Sequence, residues 1–237
     1  MVNIKEYPID CSSCFMRSLS IFNQLRSEDI SCLNEHKKHI LFKKGKIIFN
    51  EGQRPSGVYI VYSGKVKIQK SGPNGKAQIV RLTKEGDVIG YRSLISGENY
   101  HASAETLEDT TLCFLSKDTF FQLITNNSSV SMNLMKLLSE NLGAAETKII
   151  EVLQKPTKNR IAEALLLLKE MYGLEEDGQT INVVLIREDI ANIAGTSTET
   201  AIRLLYSLHE DGLIDFDKKK IKILNLRKLI IESNMED

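Results

Sequence analysis

Net charge is what this sequence most plainly lacks: over 237 residues, 31 Lys and Arg balance 31 Asp and Glu. No general attraction to nucleic acid follows from such a balance. The C-terminal part is no richer in cations, since residues 156–237 hold 11 basic and 15 acidic side chains. Contact with a polyanion would need a local arrangement of cations. Cysteine is also scarce. Cys11, Cys14, Cys32 and Cys113 are too few to staple a chain of this length, which excludes a disulfide scaffold and points to a reduced, cytoplasmic setting. Long apolar runs are missing: the longest, ALLLL at 164–168, is far short of the roughly 20 residues of a membrane span. No membrane partner is expected, and residues 1–10 carry no apolar stretch resembling a signal-peptide core. Of the few histidines only His101 falls in the β-rich part, which argues against a cupin-like metalloenzyme. Nor is there an H-E-x-x-H, a G-x-S-x-G or a Walker glycine loop, so no enzyme is expected.

What is present reads as an ordinary soluble protein, 42% hydrophobic and 26% charged, long enough for two domains. Ser27 is placed as a helix N-cap, with Glu28 and Asp29 favouring the dipole of the first turn. From residue 40 to 114, short β-rich runs (46–49, 58–62, 65–69, 78–82, 110–115) alternate with glycine turns. That texture predicts an antiparallel barrel or roll. A helix starting at Ser116, carrying Phe120, Phe121 and Leu123, would cap it. Then Met135, Leu138, Leu142, Ala145, Ile149 and Val152 recur at spacings of three and four, an a/d seam on an uninterrupted helix. A seam this narrow predicts pairing with an identical helix, a homodimer. The blander alternative is a helix packed on its own domain.

Beyond Pro156, which suits a helix's first turn, one helix is read over 160–172, a short strand over 183–186 and a two-turn helix over 187–194. Gly195 makes a turn, a second helix runs from Ser197 to about 211, and a hairpin joins 214–216 to 221–224 across 217–220. Residues 187–212 thus have the layout of a helix-turn-helix. Ile190, Ile193 and Ala194, with Ala201, Leu204, Leu205 and Leu208, supply its apolar faces. Glu199, Ile202, Arg203 and Tyr206 project from the other side, where such a helix enters a major groove. Arg203 can donate twice to guanine, and Glu199 can accept from cytosine N4. Thr196, Ser197 and Thr198 lie at the helix start, suited to a phosphate, and Lys219 with its neighbours fits a wing against the backbone. Thr196 to Glu199 equally fits a capping box in which Glu199 only closes the helix. A protein-binding winged helix is the rival reading.

From about Leu41 to Leu224 the chain resembles the Crp/Fnr family. The run NRIAEALL at 159–166 is similar to the helix opening that family's DNA-binding domain. STETAIR at 197–203 is similar to its recognition signature S-x-E-T-x-x-R. The resemblance implies an α+β chain: a cyclic-nucleotide-binding-like β-roll (1–125), a dimerisation helix (126–155) and a winged helix-turn-helix (156–237). It implies a sequence-specific transcription regulator, in which Glu199 and Arg203 read a TGA-type core on an inverted repeat. Double-stranded DNA, a second copy and, for an activator, RNA polymerase are the partners it implies. Thr198 departs from the cyclic-AMP branch and Ile202 from the fumarate–nitrate branch, which leaves the rest of the half-site open.

In this family a cyclic nucleotide is held by a Glu on the ribose and an Arg on the phosphate. Tyr91 stands at the Glu position, Tyr100 or His101 at the Arg position, and Arg92 on the wrong side of the register. Cyclic AMP is therefore not the expected effector, because a buried phosphate without Arg is poorly compensated. Cys11, Cys14 and Cys113 resemble three of the four ligands of the family's iron–sulfur cluster, with the fourth falling near Ser20. A thiol switch, another metal, or inert small side chains are the alternatives. Cys32, His36 and His39 would share a helix face at i, i+4 and i+7.

Overall fold

The computed structural model describes residues 10–72 and 75–233. The expected lack of a signal segment in residues 1–10 lies outside them, Asp10 excepted. After α1 (Phe15–Leu19), α2 spans Ser27–His36. Glu28 and Asp29 occupy its first turn, but the cap is Arg26 and Ser27 is already helical, so Ser27 is not the N-cap. The helix stops at His36. His39 lies on the strand β1 (Lys38–Phe42) that follows, and the expected helical face of Cys32, His36 and His39 does not form.

β1, β2 (Ile47–Phe49), β3 (Gly57–Ser63), β4 (Val66–Ser71), β5 (Ala77–Thr83), β6 (Val88–Ile89), β7 (Ser103–Thr106) and β8 (Thr110–Ser116) make two four-stranded sheets. Their orders are β1-β8-β3-β6 and β2-β7-β4-β5, and α3 (Tyr91–Ser96) interrupts the run between β6 and β7. Strand β3 shows why the roll closes. Alternate residues point to opposite faces, and both faces of β3 are apolar. Tyr59 and Val61 turn inward to a cluster with Phe42, Phe49, Val66, Ile89, Tyr100, Ala104 and Leu112, drawn from both sheets. Val58 and Ile60 turn outward to a second cluster with Cys11, Phe22, Leu33, Phe120 and Leu134. Gly57 is required where β3 meets β8, because a Cβ there would stand 2.0 Å from the Leu115 carbonyl oxygen.

Helix α4 (Lys117–Asn126) is capped as expected: the Ser116 hydroxyl accepts from the Thr119 N–H at 3.3 Å. The 27-residue α5 (Ser128–Gln154) follows as one continuous helix. The chain divides into two compact units: the second takes Lys76–Ile79 together with the described residues from Gly143 on, and the first holds the rest.

The second unit contains α6 (Thr157–Tyr172), α7 (Arg187–Ala194), α8 (Thr198–Glu210), β9 (Ile214–Asp217), β10 (Lys220–Ile223) and α9 (Leu226–Ser233). Its core includes Ile161, Leu165, Leu168, Ile190, Ile193, Leu205, Leu208, Ile214 and Leu229. Burying each such side chain contributes about 2 kcal/mol. The strand expected at 183–186 is not a strand. Val183 and Leu185 do point inward, but the nearby bridges, Leu174 to Ile181 and Thr180 to Lys222, end before it, and no ladder partner is present among the described residues. The hairpin is tighter than expected, with Asp217 and Lys220 paired and only Lys218 and Lys219 in the turn. Helix α9 was not legible beforehand. Among the described residues no helix is long and apolar enough to cross a membrane.

Candidate nucleic-acid interface and sensor residues

Helix α7 ends at Gly195, whose φ of +66° is left-handed. Two demands meet at this residue. The left-handed region favours glycine, and a Cβ would stand 3.3 Å from Val152 Cγ2. The Thr196 N–H returns to the Ala191 carbonyl at 3.0 Å, which closes the turn. Ser197 then caps α8, its hydroxyl accepting from the Thr200 N–H at 3.2 Å. Because the cap is Ser197 and not Thr196, Glu199 falls at the second helical position, one residue too early to close a capping box. Hydrogen bonds from its own N–H and from Ser197, at a helix start, hold its carboxyl below the usual Glu range.

On α8, Ala201, Leu205 and Leu208 are buried and Leu204 half-buried, while Glu199, Ile202, Arg203 and Tyr206 are exposed. Thr196, Ser197 and Thr198 are half-buried at its N-terminus. One face of an amphipathic helix is thus spent on the core and the other, with a guanidinium and a carboxylate one turn apart, is exposed. Lys218 and Lys219 are exposed at the hairpin tip, and Lys218 holds a left-handed φ of 56°. The rest of the lysine run is partly neutralised: Lys220 is ion-paired with Glu175.

An aromatic group that the sequence did not reveal joins hairpin to helix. Phe216 of β9 stacks edge-on with Tyr206 at 5.5 Å, contacts His209 at 5.4 Å, and carries the Arg187 guanidinium 4.6 Å above its ring. Burial moves the Arg187 pKa down from its usual value. Such cation–π and edge contacts contribute about 0.5–2 kcal/mol each and fix the wing against α8.

Arg160, read from sequence only as part of a family motif, is buried. Its guanidinium donates to the carbonyls of Ala194 (2.9 Å), Gly195 (3.3 Å), Val152 (3.1 Å) and Lys155 (2.8 Å), and to Thr157 Oγ1 (3.4 Å). Those carbonyls belong to the C-terminal ends of α7 and α5, the negative poles of two helix dipoles. The buried cation is compensated there by backbone oxygen.

On α5, Met135, Leu142, Ala145, Ile149 and Val152 are exposed, and Met132, Ile150 and Leu153 extend the apolar surface. Leu138 is half-buried against the outer cluster of the roll.

The expected effector residues do not come together. Tyr100 is buried inside the roll, stacked on Phe49 at 3.9 Å, and burial raises its pKa above the usual phenol value. Tyr91 is buried in the outer cluster instead. Arg92 is exposed, and exposed His101 pairs with Glu98 at 2.6 Å. Arg92 is also not the only arginine beside Tyr91. Arg81, on β5, donates to the Tyr91 hydroxyl at 3.3 Å and to the Val88 carbonyl at 2.8 Å. Sequence spacing could not show this, because β5 reaches Tyr91 only through the closure of the roll.

The cysteines do not match a four-thiolate set. Ser20, at the fourth position, is buried, its hydroxyl donating to the Arg17 carbonyl and accepting from the Phe22 N–H. Lys37 Nζ donates to Cys11 Sγ at 2.9 Å. Cys113 Sγ lies 3.4 Å from His39 Nδ1, and burial together with the charges of Cys11 and Cys14 pushes its thiol up to about 12. Cys32 lies on α2 beside His36. Among the described residues no group of three His, Cys, Asp or Glu could hold a metal ion.

A β-roll followed by a helix-turn-helix whose outer face is exposed defines a sensor-coupled DNA-binding regulator. Comparison with known proteins agrees. Residues 39–127 match the cyclic nucleotide-binding domain and residues 159–230 the Crp-like helix-turn-helix domain. The chain is 31% identical to the cyclic AMP receptor protein of Thermus thermophilus, over 84% of this chain and 89% of that one. It is 29% identical to the anaerobic regulatory protein of Bacillus subtilis, over 84% and 82%. Among solved structures, FixK2 of Bradyrhizobium japonicum superposes with a TM-score of 0.73 at 25% identity, covering 85% of this chain and 99% of that one. The chain belongs to the Crp/Fnr family of transcription regulators and is an effector-controlled, DNA-binding member of it.

Proposed function

We propose that this regulator acts in the cytoplasm as a homodimer, joined through the exposed apolar stripe of α5, and reads an inverted repeat with a TGA-type core. The observation that carries the reading is the division of α8 into a buried apolar face and an exposed face bearing Glu199 and Arg203. Arg203 donates to a guanine O6 and N7, Glu199 accepts from a cytosine N4, and Ile202 lies between them against base edges. Thr196, Ser197 and Thr198 meet a phosphate at the helix start, and Lys219 meets one from the hairpin tip. Two such helices related by a two-fold axis fit half-sites about one helical turn apart. As an activator it would also contact RNA polymerase.

Cyclic AMP is not the effector in this reading. Tyr100, read at the phosphate-holding place, is buried and stacked on Phe49, and the Arg81 guanidinium is engaged with Val88 and Tyr91. A phenol donates a hydrogen bond but supplies no positive charge. An iron–sulfur cluster is not assigned, since a serine stands at the fourth ligand's place in the sequence, Lys37 lies against Cys11 and His39 against Cys113.

Selection from randomised duplexes tests the DNA reading. Arg203→Ala should lose roughly 1–3 kcal/mol and relax preference at one G·C pair, whereas Lys219→Ala should weaken all sites alike. Identical behaviour of the two variants would remove the base-reading role of Arg203.

A further inference from the structure

We propose that Cys11 and Cys14 form a reversible disulfide that responds to hydroperoxides, a modification site separate from the DNA-binding face. Four observations in the sensor unit carry it. First, the Cys14 N–H returns to the Cys11 carbonyl at 3.4 Å, so Cys11-Ser12-Ser13-Cys14 is a closed turn. A turn of four residues keeps its end Cα atoms within about 7 Å, overlapping the range a disulfide spans. Second, the turn is held in place from both sides. The Asp10 carboxylate accepts from the Ser12 N–H and hydroxyl and from Asn34 Nδ2. Asn34 Oδ1 in turn accepts from the Cys11 N–H at 2.8 Å, and Arg17 Nε donates to the Cys11 carbonyl at 2.7 Å. Third, the two sulfurs differ in surroundings. Cys11 is buried with the Lys37 ammonium on its sulfur, whereas Cys14 is partly exposed. Fourth, the remaining nearby thiol is otherwise engaged, Cys113 lying on β8 against His39.

The chemistry follows this asymmetry. A hydroperoxide reaches Cys14, whose sulfur attacks the terminal oxygen. The O–O bond breaks, an alcohol or water leaves with the thiol proton, and Cys14 becomes a sulfenic acid. The Cys11 sulfur, with the Lys37 ammonium 2.9 Å away, then attacks the Cys14 sulfur. The S–S bond forms, the S–O bond breaks, and hydroxide departs as water with the Cys11 proton. The dithiol loses two electrons and the peroxide gains them. A dithiol reductant reverses the change by exchange. Cys11 belongs to the same apolar cluster as Val130 and Leu134 of α5, so drawing its sulfur away from Lys37 alters packing at the base of that helix.

The test uses the full chain. Residues 6–17 form one tryptic peptide that contains both cysteines and no other. After hydrogen peroxide and alkylation, mass spectrometry should find this peptide two hydrogens lighter and unalkylated, with Cys32 and Cys113 alkylated. Dithiothreitol should restore it. In Cys11→Ser the Cys14 sulfenic acid should persist and be trapped by dimedone, and Lys37→Met should slow disulfide closure severalfold. A peptide alkylated at both cysteines after peroxide, a Cys11–Cys113 cross-link, or iron and sulfide bound to Cys11 and Cys14 in anaerobically purified protein would each overturn the proposal. Cys14→Ser changes a partly exposed side chain and keeps the test open where a buried substitution unfolds the domain.

Discussion

Asn141 of α5 donates a 2.6 Å hydrogen bond to the hydroxyl of Tyr91 on α3. The same oxygen accepts from Arg81. One phenol thus ties the sheet and α5 together within the sensor unit.

Tyr91→Phe keeps the ring packing and removes only that oxygen. Arg81 and Asn141 each lose an acceptor in a half-buried place, a change worth about 1–3 kcal/mol. Urea unfolding followed by circular dichroism should show the loss. An unchanged midpoint would mean that water replaces the phenol at no cost.

Leu142 is 62% exposed on α5. In the proposed dimer, Leu142→Glu sets two carboxylates into an apolar contact, costing several kcal/mol. Sedimentation should show a monomer with unchanged helix content. A variant that still sediments as a dimer places the interface elsewhere.

Arg160→Met retains the length of the side chain and leaves four carbonyl acceptors without their donor. Removing a buried charged donor costs about 3–5 kcal/mol. The second unit should therefore lose far more stability than in Lys158→Met, which removes only partly exposed pairs with Asp211 and Glu232. Similar losses in the two variants would show the guanidinium network to be dispensable.

Asp177 gives a pH dependence with a definite sign. Hydrogen bonds from the Thr180 hydroxyl and N–H and from the Gln179 N–H hold its carboxyl down at about 2, against 3.8 normally. Because the folded value is the lower one, its stabilising contribution is complete above pH 3.8 and is lost as pH falls towards 2. In Asp177→Asn, stability measured between pH 4 and pH 2 should fall less steeply than in the parent chain. Parallel acid limbs would assign the acid sensitivity to other groups.

The periodic parts of the molecule were determined by the sequence alone. The unbroken run of α5, the apolar faces of α7 and α8, Gly195 and the Ser116 cap are local patterns, set by spacing and by backbone chemistry within a few residues. The roll was legible as a texture of short strands and glycine turns, and the outward set Glu199, Ile202, Arg203 and Tyr206 followed from helical geometry. Tertiary structure decided what depends on residues distant in the chain. Residues 183–186 alternate like a strand yet pair with no neighbouring strand among the described residues. His39 left the helix face of Cys32 and met Cys113, 74 residues away. Arg81 came to Tyr91, Arg160 to the ends of two helices, and Arg187 with Tyr206 to Phe216, because each contact exists only after sheets close and helices pack. Spacing along one element fixes which way a side chain points; only packing between elements fixes what it meets.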